Sequence, residues 1–360
     1  MKDGYEIEGK GSWKKRLFLF ARLAVSFGLI GYIVYQIASR QDISAFPVYY
    51  EKADWLWLGA AVLSVILLLS GGALRWGLLL RAQGVRLSKG SIFMYFMIGM
   101  FFNNFLPSTV GGDAIKIYYL HRFAGKGKEA FVSVLLDRLL GIAGLCIVAV
   151  VSLALGWRII LGNPHIAVYA WMIFGVVGGL TVFLGAFFLV IFNDRIMGLV
   201  FRLIPVAGLK TKIRGIHDSV LLYRGQFPVL FKALAVSVAI WVFIVLSCWM
   251  IYRAFYSPAV PPSEGTMGHI SIGYFYLFLP TIAAIMSVPI SFGGVGTREA
   301  FFILFFGSLP GIGELGALMI SLNYYLAFLL ASSIGGFVYI AKDQLRFHRE
   351  LPQPSQENGP

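Results

Sequence analysis

Six apolar runs of about 20 residues or more recur along this 360-residue chain, and they restrict its possible folds more than any other feature. Each run can cross a hydrocarbon core of about 30 Å. Inside that core only helices and closed barrels satisfy their backbone polar groups. The composition agrees, since 58% of residues are hydrophobic and 13% are charged, against about 25% charged in soluble domains. We predict an all-α polytopic membrane protein, a helical bundle with spans near Leu17–Ala38, Trp55–Leu80, Ala130–Gly156, Val168–Phe192, Lys232–Tyr256 and Leu315–Ile340.

The lysines and arginines predict the orientation of this bundle, because cytoplasmic connections carry their excess. Their distribution places both termini in the cytoplasm. The net charge of +13 is therefore a topology signal, strengthened by attraction to anionic lipid headgroups. We predict no nucleic-acid partner. The basic segments are residues 1–16, 81–89, 116–128, 193–232 and 342–349.

Two short stretches with one pattern of proline, glycine and cation follow the shorter apolar segments Ser91–Leu106 and Ile272–Pro289. The first reads PSTVGGDAIK from position 107, and the second reads PISFGGVGTR from position 289, which is 182 residues later (289−107). Paired Gly/Pro-interrupted segments in two halves of a chain point to a transport site. The matching positions are Pro107 and Pro289, Thr109 and Ser291, Gly111 and Gly293, Gly112 and Gly294, and Lys116 and Arg298.

The charges that flank these motifs predict two re-entrant helical hairpins. Residues 91–118 are flanked by basic segments on both sides, so they enter and leave on the cytoplasmic face. Residues 272–310 enter and leave on the external face. The same offset maps residues 55–80 onto 237–262 and residues 130–156 onto 312–338, both close to predicted spans. We therefore predict that units 55–156 and 232–341 form an inverted repeat. Eight ordinary spans with a chance similarity are the alternative.

We predict a single transmembrane domain over residues 1–345, followed by a disordered cytoplasmic tail at 346–360. The basic insertion 193–231 interleaves cations with apolar residues. This pattern is typical of amphipathic helices that lie on anionic inner-leaflet lipids. A surface that binds a partner protein is the alternative.

The glycine pairs imply a cavity or a tight helix contact at membrane depth, because broken backbone is tolerated there only inside protein or beside water. Where such a loop opens a helix, free N–H groups and the helix dipole attract anions. Lys116 and Arg298 follow the glycine pairs by about one helical turn and would add positive charge. Two converging loops would therefore form a cationic chamber suited to phosphate. Close helix packing alone is the alternative.

Asp137 and Arg138 are adjacent ionisable residues within the predicted span Ala130–Gly156. Charged residues inside a membrane span are costly and commonly functional. Adjacent helical residues point about 100° apart, so they need separate partners. A purely structural ion pair is the alternative. The predicted partners are Lys116 or Arg298 for Asp137, and Asp113, Glu299 or a lipid phosphate for Arg138.

Three further polar residues have weaker signals. Arg75 lies towards a cytoplasmic helix end and can extend to the interface, so we interpret it as structural. Asn103 and Asn104 precede the first proline motif, where they would bind a headgroup or cap the broken helix.

The chain resembles the lysylphosphatidylglycerol synthase transmembrane-region family through three motifs. These are NNFLP…GGD…K at 103–116, DR…G at 137–141, and P…S…GGVGTRE at 289–299; Lys116 stands where arginine is more frequent. The resemblance covers about residues 15–345 and implies movement of a lipid between leaflets. Full-length synthases add a soluble aminoacyl-transferase domain, and from the length of this chain we expect no synthase activity. The headgroup-binding residues that we predict are Asn103, Asn104, Pro107, Gly111, Gly112, Asp113, Lys116, Asp137, Arg138, Pro289, Ser291, Gly293, Gly294, Arg298 and Glu299.

Our hypothesis is a flippase-like transporter of a phosphate-containing lipid in a prokaryotic plasma membrane. The lipid would be a phospholipid, an aminoacyl-phospholipid or a polyprenyl-phosphate-linked lipid. A membrane-embedded transferase acting on a lipid phosphate and an ion-coupled small-solute transporter are the alternatives. We predict no catalytic residue, metal or cofactor, because none of the usual motifs for them occurs. The sequence does not specify an oligomeric state.

Overall fold

The computed structural model describes a chain that is helical almost throughout. The described residues are 31, 35, 45–105, 111–125, 127–162, 167, 170–203, 214, 217–218, 220–221, 223–257, 266–287, 294–309 and 311–350. They contain no strand, only an isolated bridge between Tyr256 and Met267. In these ranges the helices are α1 (Ala45–Glu51), α2 (Trp55–Ala82), α3 (Lys89–Phe105), α4 (Gly111–Ala124), α5 (Gly127–Gly162), α6 (Ala170–Phe192), α7 (Asp194–Leu203), α8 (Phe227–Phe255), α9 (Ile272–Met286), α10 (Thr297–Phe306) and α11 (Gly313–Glu350).

Five of these helices (α2, α5, α6, α8 and α11) are long and apolar enough to cross a membrane. The predicted all-α polytopic class is confirmed. Each of the five lies within a few residues of a predicted span. The sixth predicted span, Leu17–Ala38, lies outside the described residues except for positions 31 and 35. Helices form here because apolar side chains suit lipid while the backbone bonds stay within each segment.

The first predicted hairpin consists of two short helices that pack closely together. Helix α3 has 17 residues and α4 has 14, so at 1.5 Å per residue each is shorter than a 30 Å core. A Cβ atom on Gly112 would overlap the carbonyl oxygen of Gly99, so only glycine permits this approach. The predicted re-entrant insertion stays a prediction, and the turn at 106–110 lies outside the described residues.

The second hairpin is held by aromatic contacts between α9 and α10. The ring centroids of Phe275 and Phe306 lie 4.9 Å apart, and those of Phe278 and Phe305 lie 5.2 Å apart. These helices have 15 and 10 residues. The segment 288–293 between them is outside the described residues.

The helices of the two halves follow one order of long, short, short and long: α2 to α5, then α8 to α11. The corresponding helices α2 and α8 pack antiparallel. Trp57 contacts Trp249 near one end, and Arg75 donates a hydrogen bond to Ser237 towards the other. Ser64 Oγ donates to the Phe243 carbonyl oxygen between them. The inverted repeat stays a prediction, and antiparallel packing of corresponding helices supports it.

The halves also exchange contacts reciprocally, since α3 packs on α11 while α9 packs on α5. A glycine lies at each crossing, and the first crossing requires it. A Cβ atom on Gly335 would overlap the Met97 carbonyl oxygen. A Cβ atom on Gly156 would lie 3.5 Å from Leu277 Cδ1, which is an ordinary van der Waals contact. Such close backbone approach is how membrane helices gain packing energy, because lipid supplies no hydrophobic driving force between them.

The insertion 193–231 folds back onto the end of α2. In α7, Met197 is buried while Arg195 and Arg202 are exposed, so one face of this helix packs inwards and another carries cations. The Tyr223 hydroxyl donates to the Leu79 carbonyl oxygen at 2.8 Å, and the Gln226 side chain donates to that of Ala82 at 2.9 Å. The predicted contact with inner-leaflet lipids stays a prediction.

Helix α11 continues to Glu350, five residues into the segment predicted to be a disordered tail (346–360). The residues that follow Ile340 contain no helix breaker before Pro352, where the ring removes a backbone donor. Residues 351–360 lie outside the described residues.

We expect Gly335→Ala to destabilise the bundle, because its new methyl group overlaps backbone at the crossing of α3 and α11. Overpacking of this kind costs about 1–3 kcal/mol. Gly185→Ala is the matched control, since Gly185 is also within a spanning helix but has open space around it. Apparent melting temperatures in detergent measure both. Equal melting temperatures would contradict the tight crossing.

Candidate functional site

A cavity of about 460 Å³ lies at the centre of the bundle, with walls from both halves. Helices α2, α3, α4 and α5 contribute from the first half, and α8, α10 and α11 from the second. Apolar and aromatic residues, including Leu68, Ile240 and Phe328, form part of the wall. The charged and amide residues lining it are Arg75, Asn103, Asn104, Asp113, Lys116, Asp137, Arg138 and Arg298. All except Arg75 were predicted site residues.

Asp113 joins two cations at the start of α4. Its Oδ1 lies 2.6 Å from Lys116 Nζ, one helical turn along, and its Oδ2 accepts a hydrogen bond from Arg138 Nε of α5. Asp113 is 3% exposed. A carboxylate in the first turn of a helix is also favoured by the helix dipole. The predicted pairing of Arg138 with Asp113 is confirmed.

Lys116 is unusual because its cationic group is nearly sealed from solvent, with a side chain only 3% exposed. Its Nζ lies 5.0 Å from the centroid of the Phe96 ring and 5.7 Å from that of Trp76. Cation–π attraction of this kind strengthens when the groups are desolvated. The ammonium group is thus stabilised by one carboxylate and two aromatic faces.

The prediction that Arg75 extends to the interface is wrong, because its side chain lines the central cavity. Its Nε donates to Asp137 Oδ1 at 2.7 Å, and its Nη1 donates to Ser237 Oγ at 2.9 Å. Gly141 leaves room for the guanidinium, since a Cβ atom there would lie 3.2 Å from Nη1. The packing of α2 against α5 and α8 therefore turns the side chain inwards.

The predicted partners of Asp137, Lys116 or Arg298, were also wrong. Asp137 pairs with Arg75 instead. Asp137 is 4% exposed, so its charge requires a close partner. The signal that could have identified Arg75 is its position deep within α2, where it interrupts a long apolar run.

The second half contributes Arg298 from the first turn of α10. Its Nε donates to Glu299 Oε1 at 3.0 Å and to Ser321 Oγ at 3.1 Å. The guanidinium carbon lies 4.4 Å from the centroid of the Tyr325 ring. The side chain is 14% exposed, so Arg298 faces the cavity while its back is held by a carboxylate and an aromatic ring.

Glu299 supports Arg298 and also caps its own helix. Its Oε2 accepts a hydrogen bond from the Gly296 N–H group at 2.8 Å. Gly296 has a φ of 84° and Gly294 a φ of 79°, both in the left-handed region that favours glycine. Glu299 does not line the cavity, although it contacts a residue that does.

The structure changes the prediction that free N–H groups at the glycine loops bind the anion. Gly112 N–H donates to Asn103 Oδ1 at 2.8 Å, and Gly296 N–H donates to Glu299. Asn103 therefore caps α4, while Asn104 Nδ2 donates to Ser332 Oγ of α11 at 2.8 Å. Asn103 and Glu299 each satisfy one N–H group at a helix start, so these two groups are not free to bind an anion. The cationic side chains add to whatever attraction the other N–H groups of the helix starts supply.

Four predicted site residues, Pro107, Pro289, Ser291 and Gly293, lie outside the described residues. Among the described groups, Arg75, Lys116, Arg138 and Arg298 face three carboxylates, those of Asp113, Asp137 and Glu299. This cluster has one net positive charge. The side chain of Arg138 is 40% exposed, the largest value among the four cations.

Comparison with known proteins finds a matching protein family and a similar protein. Residues 19–336 match the family described as the lysylphosphatidylglycerol synthase TM region. A UPF0104 membrane protein of Methanothermobacter thermautotrophicus is 22% identical over 305 residues, which cover 79% of this chain and 85% of that protein.

We expect Asp137→Asn to lower stability strongly, because it leaves the Arg75 guanidinium buried without its carboxylate. Breaking a buried ion pair from one side costs about 3–5 kcal/mol. The double variant Arg75→Gln/Asp137→Asn removes both charges and should recover most of that loss. Thermal unfolding of the single and double variants in detergent measures the coupling. Additive losses would contradict a direct pair.

Proposed function

The chain belongs to the lysylphosphatidylglycerol synthase transmembrane-region family, and on this premise we propose that it moves a phosphate-containing lipid between the leaflets of a membrane. The family places the chain among membrane proteins that handle lipids, as its motifs predicted. In our proposal the lipid crosses without a change in its covalent structure. The membrane is the plasma membrane of a prokaryote, with both termini of the chain in the cytoplasm.

The observation that carries the proposal is a cluster of four cations and three carboxylates among helices that are otherwise apolar. Charges at membrane depth are costly, and they persist where they face a cavity that binds a polar substrate. A lipid headgroup is such a substrate. One net positive charge complements the single negative charge of a phosphodiester.

Arg138 and Arg298 are the cations best placed to bind the phosphate. Both residues line the cavity, with side chains that are 40% and 14% exposed, and guanidinium groups bind phosphate oxygens through two parallel hydrogen bonds. Arg75 and Lys116 are more deeply buried and are held by Asp137 and Asp113. They would contribute positive potential, and the carboxylates would keep the empty cavity close to neutral.

The apolar part of the cavity wall suits the rest of the lipid. Leu68, Ile240 and Phe328 lie beside the charged groups, so a headgroup could occupy the cavity while its chains stay in the bilayer. Movement would follow from rocking of the antiparallel halves about α2 and α8, which exposes a central site alternately to each side. The cations of α7 would rest on anionic headgroups of the cytoplasmic leaflet.

We expect Arg298→Ala to slow lipid movement in reconstituted liposomes about tenfold or more, since two charge-assisted hydrogen bonds are lost. The rate is measured with labelled phosphatidylglycerol, as the rate at which label becomes available for bleaching or extraction at the outer leaflet. Mass spectrometry of the recovered lipid tests whether it is unchanged. Arg298→Lys keeps the charge and should lose less.

Arg158→Ala is the control for that experiment, because Arg158 is an exposed arginine of α5 that does not line the cavity. It should move lipid at the rate of the unaltered protein. An Arg298→Ala protein that is folded and equally fast would contradict the proposed site. So would an unaltered protein that moves no anionic lipid.

The net charge of the cluster also predicts a preference among lipids with the same acyl chains. Phosphatidylglycerol, with one negative charge, should move faster than zwitterionic phosphatidylcholine, because its charge balances the cavity. Arg138→Gln removes one positive charge and should reduce this difference. The two initial rates, measured side by side in the same liposomes, give the ratio. An unchanged ratio would contradict charge selection by the cavity.

A further inference from the structure

A second, smaller cavity lies between α2 and α3, apart from the central one. It is a groove of about 230 Å³. Its walls are mainly apolar, and Leu74 on one wall is 57% exposed on the outside of the bundle. In a membrane this groove would open towards lipid. The apolar wall residues include Ala73, Leu74, Leu78, Ile92 and Phe93.

Two cations line one end of the groove. Arg81 lies in the last turn of α2, and Lys89 is the first residue of α3. Both side chains are exposed, and neither has a carboxylate partner among the described residues. The position of Arg81 suits the helix dipole. That of Lys89 does not, because the start of α3 is already positive and its first turn contains no acidic residue.

An apolar groove with two uncompensated cations at one end has the chemistry of a phospholipid site. We propose that it binds one anionic phospholipid, with the phosphate between Arg81 and Lys89 and an acyl chain along α2 and α3. The positive-inside rule places these cations at the cytoplasmic leaflet. Charge complementarity therefore selects an inner-leaflet lipid as the occupant.

The groove and the central cavity follow one another along the same face of α3. Lys89, Ile92 and Phe93 line the groove, and Phe96 and Met100 line the cavity one and two turns later. The Phe96 ring lies against the backbone of α2, where a Cβ atom on Gly72 would overlap it. We take the groove as the loading site from which a lipid passes Phe96 into the cavity, a part of the proposal that rests on the proposed function.

The test of the groove is photo-crosslinking of the full chain in phosphatidylcholine vesicles that contain a small fraction of phosphatidylglycerol with a diazirine in one acyl chain. Peptide mapping should place cross-links at Leu74, Leu78 or Phe93. In Arg81→Gln/Lys89→Gln their yield should fall at least about fivefold relative to a control with the same net charge. The control is Arg86→Gln/Lys128→Gln, two exposed cations that do not line the groove.

Equal yields in the two double variants would overturn the groove as a phospholipid site, as would cross-links that map elsewhere. Lipid movement measured on the same vesicles tests loading: it should slow in Arg81→Gln/Lys89→Gln and not in the control. Loss of cross-links with unchanged movement would overturn the loading role. Groove cross-links in a protein that moves no lipid would support the groove and contradict the proposed function instead.

Discussion

The cost of charge inside an apolar bundle is the constraint on which the centre of this structure depends. Asp113 offsets this cost by forming ion pairs with Lys116 of its own helix and with Arg138 of α5. Arg75 of α2 and Asp137 of α5 offset it by pairing with each other. Because each unpaired charge would be strongly destabilising, these pairs fix which helices must meet. The central cavity lies beside these ion pairs, whose side chains form part of its wall.

Glycines determine how closely the surrounding helices approach that centre. Gly112 brings α4 onto α3, Gly335 brings α11 onto α3, and Gly144 brings α5 within reach of Ser237 on α8. Membrane helices gain their stability from such contacts, because lipid offers them no hydrophobic reason to associate. The result is a tight frame around groups that would otherwise be unstable there. A frame of this kind suits a site that must hold a charged headgroup within a membrane.

The sequence predicted seven of the eight charged and amide residues that line the central cavity, because several of them contradict their surroundings. Asp137 and Arg138 interrupt a long apolar run, and the glycine motifs interrupt helices. The reasoning misjudged Arg75, whose distance from the helix end allowed two outcomes. It also predicted free N–H groups at the glycine loops, but Asn103 and Glu299 each satisfy one of them. In both cases the deciding partner lies far along the chain or in a turn geometry that spacing does not specify.

The sequence alone determined that this chain forms apolar helices, approximately where the membrane-spanning ones lie, and that two matched Gly/Pro motifs interrupt the apolar pattern. These features follow from local chemistry. Backbone in lipid must form its hydrogen bonds within the protein, and glycine readily adopts the positive φ values that other residues avoid. Only the tertiary structure decided that Arg75 pairs with Asp137, that Lys116 lies between aromatic rings, and that Arg298 faces the first half. Such pairings depend on helix rotation and on distances of a few ångströms between remote segments, and no periodicity along the chain encodes them.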